Sequence, residues 1–162
     1  MPHVVAGDSA DPGKKVPALL KPLPLAPRGE GRFLQQILGV ALPPATRRAV
    51  SEQLRAFMGE AKFEEFRRFQ QSHQPVVFVG PYEHHSNEVT WRQGLATVVE
   101  VNLAEDGSLD LVHLEQLLAE PAYQGRLRIG SFSAASNVTG MRSPVHEIAR
   151  RLHAHGAYAC FD

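Results

Sequence analysis

The chain has 162 residues, 43% of them hydrophobic, with 17 basic side chains balanced by 17 acidic ones. This is the composition of a soluble globular protein of one-domain size, long enough to bury most of its apolar surface. A neutral total gives no support to nucleic-acid or membrane-surface binding, since both want a basic excess, and no apolar run approaches the ~18 residues of a bilayer span.

Residues 1–30 are rich in Pro, Gly and Lys, and the PALLKPLPLAPRG run holds neither helix nor strand alternation, so a disordered or loosely attached segment is expected. No charged n-region precedes a long apolar stretch in MPHVVAGDSADPGKK, and a single cysteine, Cys160, makes no internal disulfide. A cytoplasmic protein is therefore expected, with the sequon Asn137-Val138-Thr139 idle. GRFLQQILGV, residues 31–40, predicts a short helix with Phe33, Leu34, Ile37 and Leu38 on one face. A longer helical zone follows from about Pro44 to Gln71, started by Pro43-Pro44, with Val50, Leu54, Phe57 and Met58 at helical spacing. Gly59 breaks it, and Phe63, Phe66 and Phe69 continue beyond as core or interface aromatics rather than a cofactor box.

From Pro75 the pattern becomes regular. Val76-Val77-Phe78-Val79 is too short for a helix and reads as a buried strand, ended by Gly80-Pro81. A helix near Ser86 carries Val89 and Trp91, and Thr97 to Val101 is the next strand. Glu105-Asp106-Gly107 is a turn, and Leu109-Asp110 leads into a helix with Leu111, Leu114, Leu117 and Leu118 on one side. Leu127 to Phe132 is a third strand. Ser143-Pro144 predicts a helix start with a serine cap and a proline at the first position; Gly156 stops that helix, and Ala157 to Phe161 is a fourth strand. Strands alternating with helices predict an α/β fold with a parallel sheet and right-handed crossovers.

Polar clusters stand at three predicted strand ends: Glu83, His84, His85, Ser86 and Asn87; Ser133 to Asn137; and Asp162. In a parallel sheet such ends share one edge, where open α/β sheets hold their ligands. The residues alone leave the chemistry open. Adjacent His84 and His85, even with His73 or Glu83, lack metal-ligand spacing, so no metal site is expected. A nucleophilic set through Ser86 or Ser136 lacks the G-x-S-x-G turn, and no glycine-rich phosphate loop follows any strand. Cys160, mid-strand, reads as a buried inert thiol, and His113, His146, His153 and His155 as solvated or helix-terminal.

GPYEHHSNEVTW, EDGSLDLVHLEQLL, SFSAASNVTG and HEIARRLHAHGAYACFD, in that order and spacing, resemble the large domain of class V aminotransferase-fold enzymes. These are pyridoxal 5'-phosphate (PLP) proteins of fold type I that include the cysteine desulfurase and selenocysteine lyase branch. The resemblance covers about residues 75–162. It implies a PLP-dependent transferase or lyase acting on an amino acid. It also implies four strands ordered 97–101, 76–79, 127–131, 157–161, beside helical residues 31–72. By the same resemblance His84 is cofactor-binding and catalytic, stacking on the pyridoxal ring and assisting proton transfers. Asn137 hydrogen-bonds the ring hydroxyl oxygen, and Asp162 pairs with the pyridine nitrogen. His85, Ser86 and Asn87 are weaker candidates, with helix capping by Ser86 or Asn87 as the alternative.

The departures from the family pattern matter as much. The Schiff-base lysine belongs downstream of the aspartate, whereas the lysines here, Lys14, Lys15, Lys21 and Lys62, lie outside the matched region. Arg28-Gly29-Glu30-Gly31-Arg32 stands where a small-residue phosphate turn is expected ahead of LQQILG. Cys160 does not match the desulfurase nucleophile, and Asp162 ends a strand whose covering helix is missing. The expected organisation is thus an irregular segment over 1–30 and a partial large domain over 31–162 (helical 31–72, βα-repeat 75–162). The chain alone is expected to be inactive, with a homodimer for the complete enzyme. The alternatives are a non-catalytic truncated or degenerate homologue serving as an interaction module, and, more weakly, a nucleotide-binding module.

Overall fold

A computed structural model describes residues 30–136 and 140–162. The irregular segment expected over 1–30 lies outside them up to residue 29, as do Asn137 and the rest of the sequon. The elements run α1 (Glu30–Ile37), α2 (Pro44–Met58), α3 (Glu60–His73), β1 (Val76–Val79), α4 (His85–Gln93), β2 (Thr97–Glu100), α5 (Leu111–Ala119), β3 (Arg128–Phe132), α6 (Val145–Ala154) and β4 (Tyr158–Phe161). A 3-10 turn, Pro121–Tyr123, follows α5.

The four strands form one parallel sheet in the order β2-β1-β3-β4, as expected from the family pattern. Two-residue alternation splits each strand between two apolar layers. On one face Val76, Phe78 and Phe132 pack with Leu114 and Leu118 of α5 and Ile148 and Leu152 of α6. On the other, Val77, Val79 and Ile129 pack with Trp91 of α4 and with Val40. All four β1 residues are buried, because β1 has a strand on each side and a layer on each face. Arg126 ties the entry ends of the sheet together: its Nε donates to Gln74 O at 2.7 Å and its Nη2 to Thr97 Oγ1 at 2.6 Å.

Asp110 caps α5 as the Leu109-Asp110 step suggests. One carboxylate oxygen accepts from the Val112 and His113 amides, both at 2.9 Å. Asp110→Ala removes the acceptor for two otherwise orphaned helix N–H groups and is expected to cost about 1 kcal/mol, read as a lowered urea midpoint with an unchanged slope. A surface network joins α5 to α6: Glu115 accepts from Arg151 Nη1 at 3.2 Å and lies 2.6 Å from His155 Nε2. The His155 hydrogen bond, with help from Arg151, holds the Glu115 carboxyl below its ordinary range.

Three expectations are corrected. Ser143 does not cap α6: the helix starts at Val145 with Pro144 at its cap position and no side-chain cap, because the Ser143 hydroxyl donates to Ser133 O at 2.6 Å. Ile37 and Leu38 are exposed, since α1 ends at Ile37 and turns through Gly39 at φ 67°, leaving Leu34 partly buried and Gln35 buried against α4. No residue of the stripe on α2 is fully buried: Leu54 and Met58 are half-buried, Val50 is exposed, and Phe57 is 89% exposed. Apolar spacing gives a helix its stripe but not a partner; α2 meets α3 across Gly59 and touches α4 through the Arg47 guanidinium, which donates to Gln93 O and Gly94 O. Of the α3 aromatics, only Phe63 enters the core, while Phe69 stacks on His73 at the surface.

Candidate functional site

The chain leaves β1 for β2 on one side, then crosses back over β1 to reach β3 and moves on to β4. The strand order therefore reverses between β1 and β3, and the crevice beyond the carboxyl ends of those two strands is where an open α/β sheet binds ligands. The Gly80–His84 loop leaves β1 there, and Ser133-Ala134 leaves β3.

Glu83 joins the two. Its Oε1 accepts from Ser133 N at 2.9 Å and Gly80 N at 3.2 Å, and its Oε2 from Ser133 Oγ at 2.7 Å and Asn87 Nδ2 at 2.9 Å. A side chain at position 80 would place its Cβ 2.6 Å from Glu83 Oε1, so only glycine lets the carboxylate come in this close. The network continues inward. Asn87 also donates to Ser131 O at 3.3 Å and accepts from Ser131 Oγ at 2.8 Å and Trp91 Nε1 at 3.1 Å, while Trp91 Nε1 lies 3.1 Å from Ser131 Oγ. Both amide hydrogens and both lone pairs of Asn87 are thereby used, which is what lets an amide sit in an apolar layer.

His84 follows Glu83 directly. Its carbonyl accepts the third and fourth amides of α4, from Asn87 at 2.8 Å and Glu88 at 3.2 Å, so His84 occupies the cap position of that helix, and its side chain is exposed. Asp162 lies one residue past β4. Its amide donates to Phe132 O at 3.2 Å, its carbonyl accepts from Ala134 N at 2.9 Å, and it too is exposed. Ser133 and Ala134 thus form a ledge with the His84 loop bound on one side and Asp162 on the other. Of the three expected ring-binding residues, two stand at this one edge, and Asn137 lies outside the described residues. An imidazole-bearing residue and a carboxylate-bearing one thus share this edge, beside a main-chain ledge.

Asn87 is neither a helix cap nor an exposed ligand candidate; it is the hub of a buried network. The backbones of His85 and Ser86 open α4. Cys160 packs against the Val77–Trp91 layer, where burial pushes its thiol up to about 11, so it stands as an uncharged thiol at neutral pH. The sequence did not single out Ser131, and it read Ser143 only as a helix cap and Gly80 only as a strand end. A signal for Ser131 was there: one hydroxyl in the apolar second half of a strand, with Asn87 and Trp91 four apart on a helix.

The aminotransferase class-V family model matches residues 64–162. A "Probable cysteine desulfurase" of Chlamydia muridarum is 39% identical over 91 residues, covering 54% of this chain and 22% of that protein. A "Cysteine desulfurase" of Pectobacterium carotovorum is 33% identical over 135 residues, covering 70% of this chain and 32% of that one. Among solved structures, the cysteine desulfurase CsdA of Escherichia coli is similar over 58% of this chain and 24% of its own, with 28% identity and a TM-score of 0.45. The chain spans about a fifth of the length of the first curated relatives it matches. No helix among the described residues is long and apolar enough to cross a membrane. The four-stranded parallel sheet agrees with the partial fold type I large domain expected from the sequence. With a family model matched over more than half its residues, the chain belongs to the class V aminotransferase family.

Proposed function

We propose that residues 75–162 form the ring-holding part of a PLP site, in a transferase or lyase acting on an amino acid and of the class V aminotransferase or cysteine desulfurase type. The observation that carries this reading is the meeting of the His84 loop and Asp162 on the Ser133-Ala134 ledge, in a chain of this family. With PLP bound, Asp162 would favour the protonated pyridine nitrogen, because a nearby carboxylate moves the pKa of a cation by about 1–3 units in favour of the charged form. The His84 imidazole would hold the ring and move protons, and Asn137, outside the described residues, is the residue the family resemblance assigns to the ring hydroxyl oxygen. Bound PLP supplies an electron sink for bond cleavage at the α-carbon of the substrate. Residues 64–162 contain no lysine, so covalent attachment falls outside this stretch, and the chain by itself binds without turnover. A cytoplasmic homodimer is the setting proposed for the complete enzyme.

Titrating the full chain with PLP tests this. The expected result is a saturable absorbance change and a thermal midpoint that rises with ligand, corresponding to about 2.7 kcal/mol at a hundredfold excess over Kd. Asp162→Ala is expected to weaken binding about tenfold, through the loss of a charge-assisted hydrogen bond. Absence of both signals would overturn the proposal and favour a second reading, a non-catalytic interaction module. The observation favouring that alternative is the run of exposed apolar side chains on α2 and α3, with Phe57 and Phe69 foremost.

A further inference from the structure

We propose that Glu83 is a positioning residue that fixes where the His84 imidazole stands. The ligand in this proposal rests on the PLP reading above; the geometry is that of the free chain. The loop from Gly80 to His84 is short, and its carboxylate side chain turns back to bond the loop itself and the neighbouring strand end instead of reaching into water. Four donors on three residues hold that carboxylate: the Gly80 and Ser133 amides, the Ser133 hydroxyl and the Asn87 side-chain amide. Gly80 lies at the end of β1, Ser133 at the end of β3 and Asn87 in the first turn of α4, so Glu83 fixes both ends of the segment carrying His84. The grip is directional, because each carboxylate oxygen accepts two hydrogen bonds from fixed groups, and charge-assisted hydrogen bonds are the stronger kind. Ser133 is also the first half of the ledge whose second half, Ala134, binds the backbone of Asp162. One carboxylate therefore sets the spacing of the β1 loop from the shelf on which the β4 end rests. A solvated surface glutamate would need no glycine at position 80, whereas here a Cβ would collide with the carboxylate.

The test compares Glu83→Ala, Glu83→Gln and His84→Ala with the unaltered chain, by amide hydrogen exchange, histidine-ring NMR and PLP titration. In Glu83→Ala, exchange of the Asn87 and Glu88 amides, which close on the His84 carbonyl, is expected to speed up about tenfold or more, while the Val77 and Ile129 amides stay within about twofold. The His84 ring signal is expected to move toward that of a free imidazole. Glu83→Gln restores part of both effects: it keeps an oxygen for the Gly80 and Ser133 amides but presents an NH2 to the Asn87 NH2. PLP binding is expected to weaken about tenfold in Glu83→Ala, as for one lost hydrogen bond, and not to weaken further when His84 is already alanine. Equal losses in both backgrounds would show that Glu83 does not act through His84 and would overturn the proposal. So would an unmoved His84 ring signal, or exchange that rises equally at Val77 and Ile129. If the unaltered chain binds no PLP, the function reading falls, and the ring signal and local exchange alone decide the role of Glu83. Should Glu83→Ala not fold, Ser133→Ala, which removes one of the four donors, carries the same comparisons.

Discussion

Trp91→Ala is expected to cost about 3–5 kcal/mol, a large part of the ~5–15 kcal/mol that holds a typical domain folded. The indole is fully buried between α4 and the sheet, packed on Val77, Val79 and Ile129. Truncation leaves a cavity with walls built from sheet backbone, which relaxes little. It also strips Asn87 Oδ1 of one of its two donors. Trp91→Phe separates the two contributions: it keeps most of the packing and removes the N–H, with an expected loss of about 1–2 kcal/mol. Trp91 is the single tryptophan, so unfolding of both variants is to be followed by far-ultraviolet circular dichroism in urea. A loss under about 1.5 kcal/mol for the alanine variant would mean that α4 closes onto the sheet and the layer is less rigid than its packing implies.

Gly130→Ala is expected to destabilise by about 1–3 kcal/mol, against the usual direction of a glycine-to-alanine change. Elsewhere that exchange stabilises by about 0.4–1 kcal/mol by restricting the unfolded chain. At position 130 the new Cβ would lie 2.4 Å from Leu152 Cδ1 and 2.7 Å from Phe132 Cε2. Both side chains are flexible at their ends, but both are buried and packed in the same layer, so neither has open space to move into. Overpacking outweighs the entropic gain. The absent side chain is what lets α6 lie against the middle of β3. Leu152→Ala, itself a costly truncation, should combine with Gly130→Ala at less than the sum of the two separate losses in the same urea series, since it reopens the space the methyl needs.

Strand identity and the common edge were legible because they depend on short-range signals, whereas strand order came with the family resemblance. β-Branched runs such as Val76–Val79, bounded by glycine and proline, declare buried strands, and helices between them enforce parallel pairing. The helix entry at Leu109-Asp110, the Gly59 break and the Gly156 stop were readable for the same reason: each acts within one helical turn. What could not be read was the destination of polar side chains that reach across the fold. Ser143 in front of a helix looks like a cap, yet its hydroxyl goes to Ser133 O. Asn87 follows a serine at a helix start and looks like another, but it points inward to Ser131 and Trp91, of which Ser131 lies 44 positions away in sequence. Glu83 counted only as one member of a polar cluster, and its link to Ser133 spans 50 positions. The stripe on α2 shows the opposite failure, a local pattern that the fold answers only in part, with Leu54 and Met58 half-buried and Val50 and Phe57 exposed. At the candidate site, His84 and Asp162 were found through family resemblance, whereas the groups that hold their backbones in place became visible only in three dimensions.

Ser131 sits on the Trp91 side of β3, between Gly130 and Phe132 on the α6 side. Were β3 to thread one step out of line, every side chain would swap faces. The Ser131 hydroxyl would meet Leu152 with nothing to bond, Asn87 and the indole would lose their shared partner, and the Phe132 ring would drive into the space of the indole. Oily contacts alone tolerate such a slip more readily than a hydroxyl with two assigned neighbours does. The small polar knot beneath the candidate site therefore acts as a key, penalising mis-threaded chains before the edge above it can form.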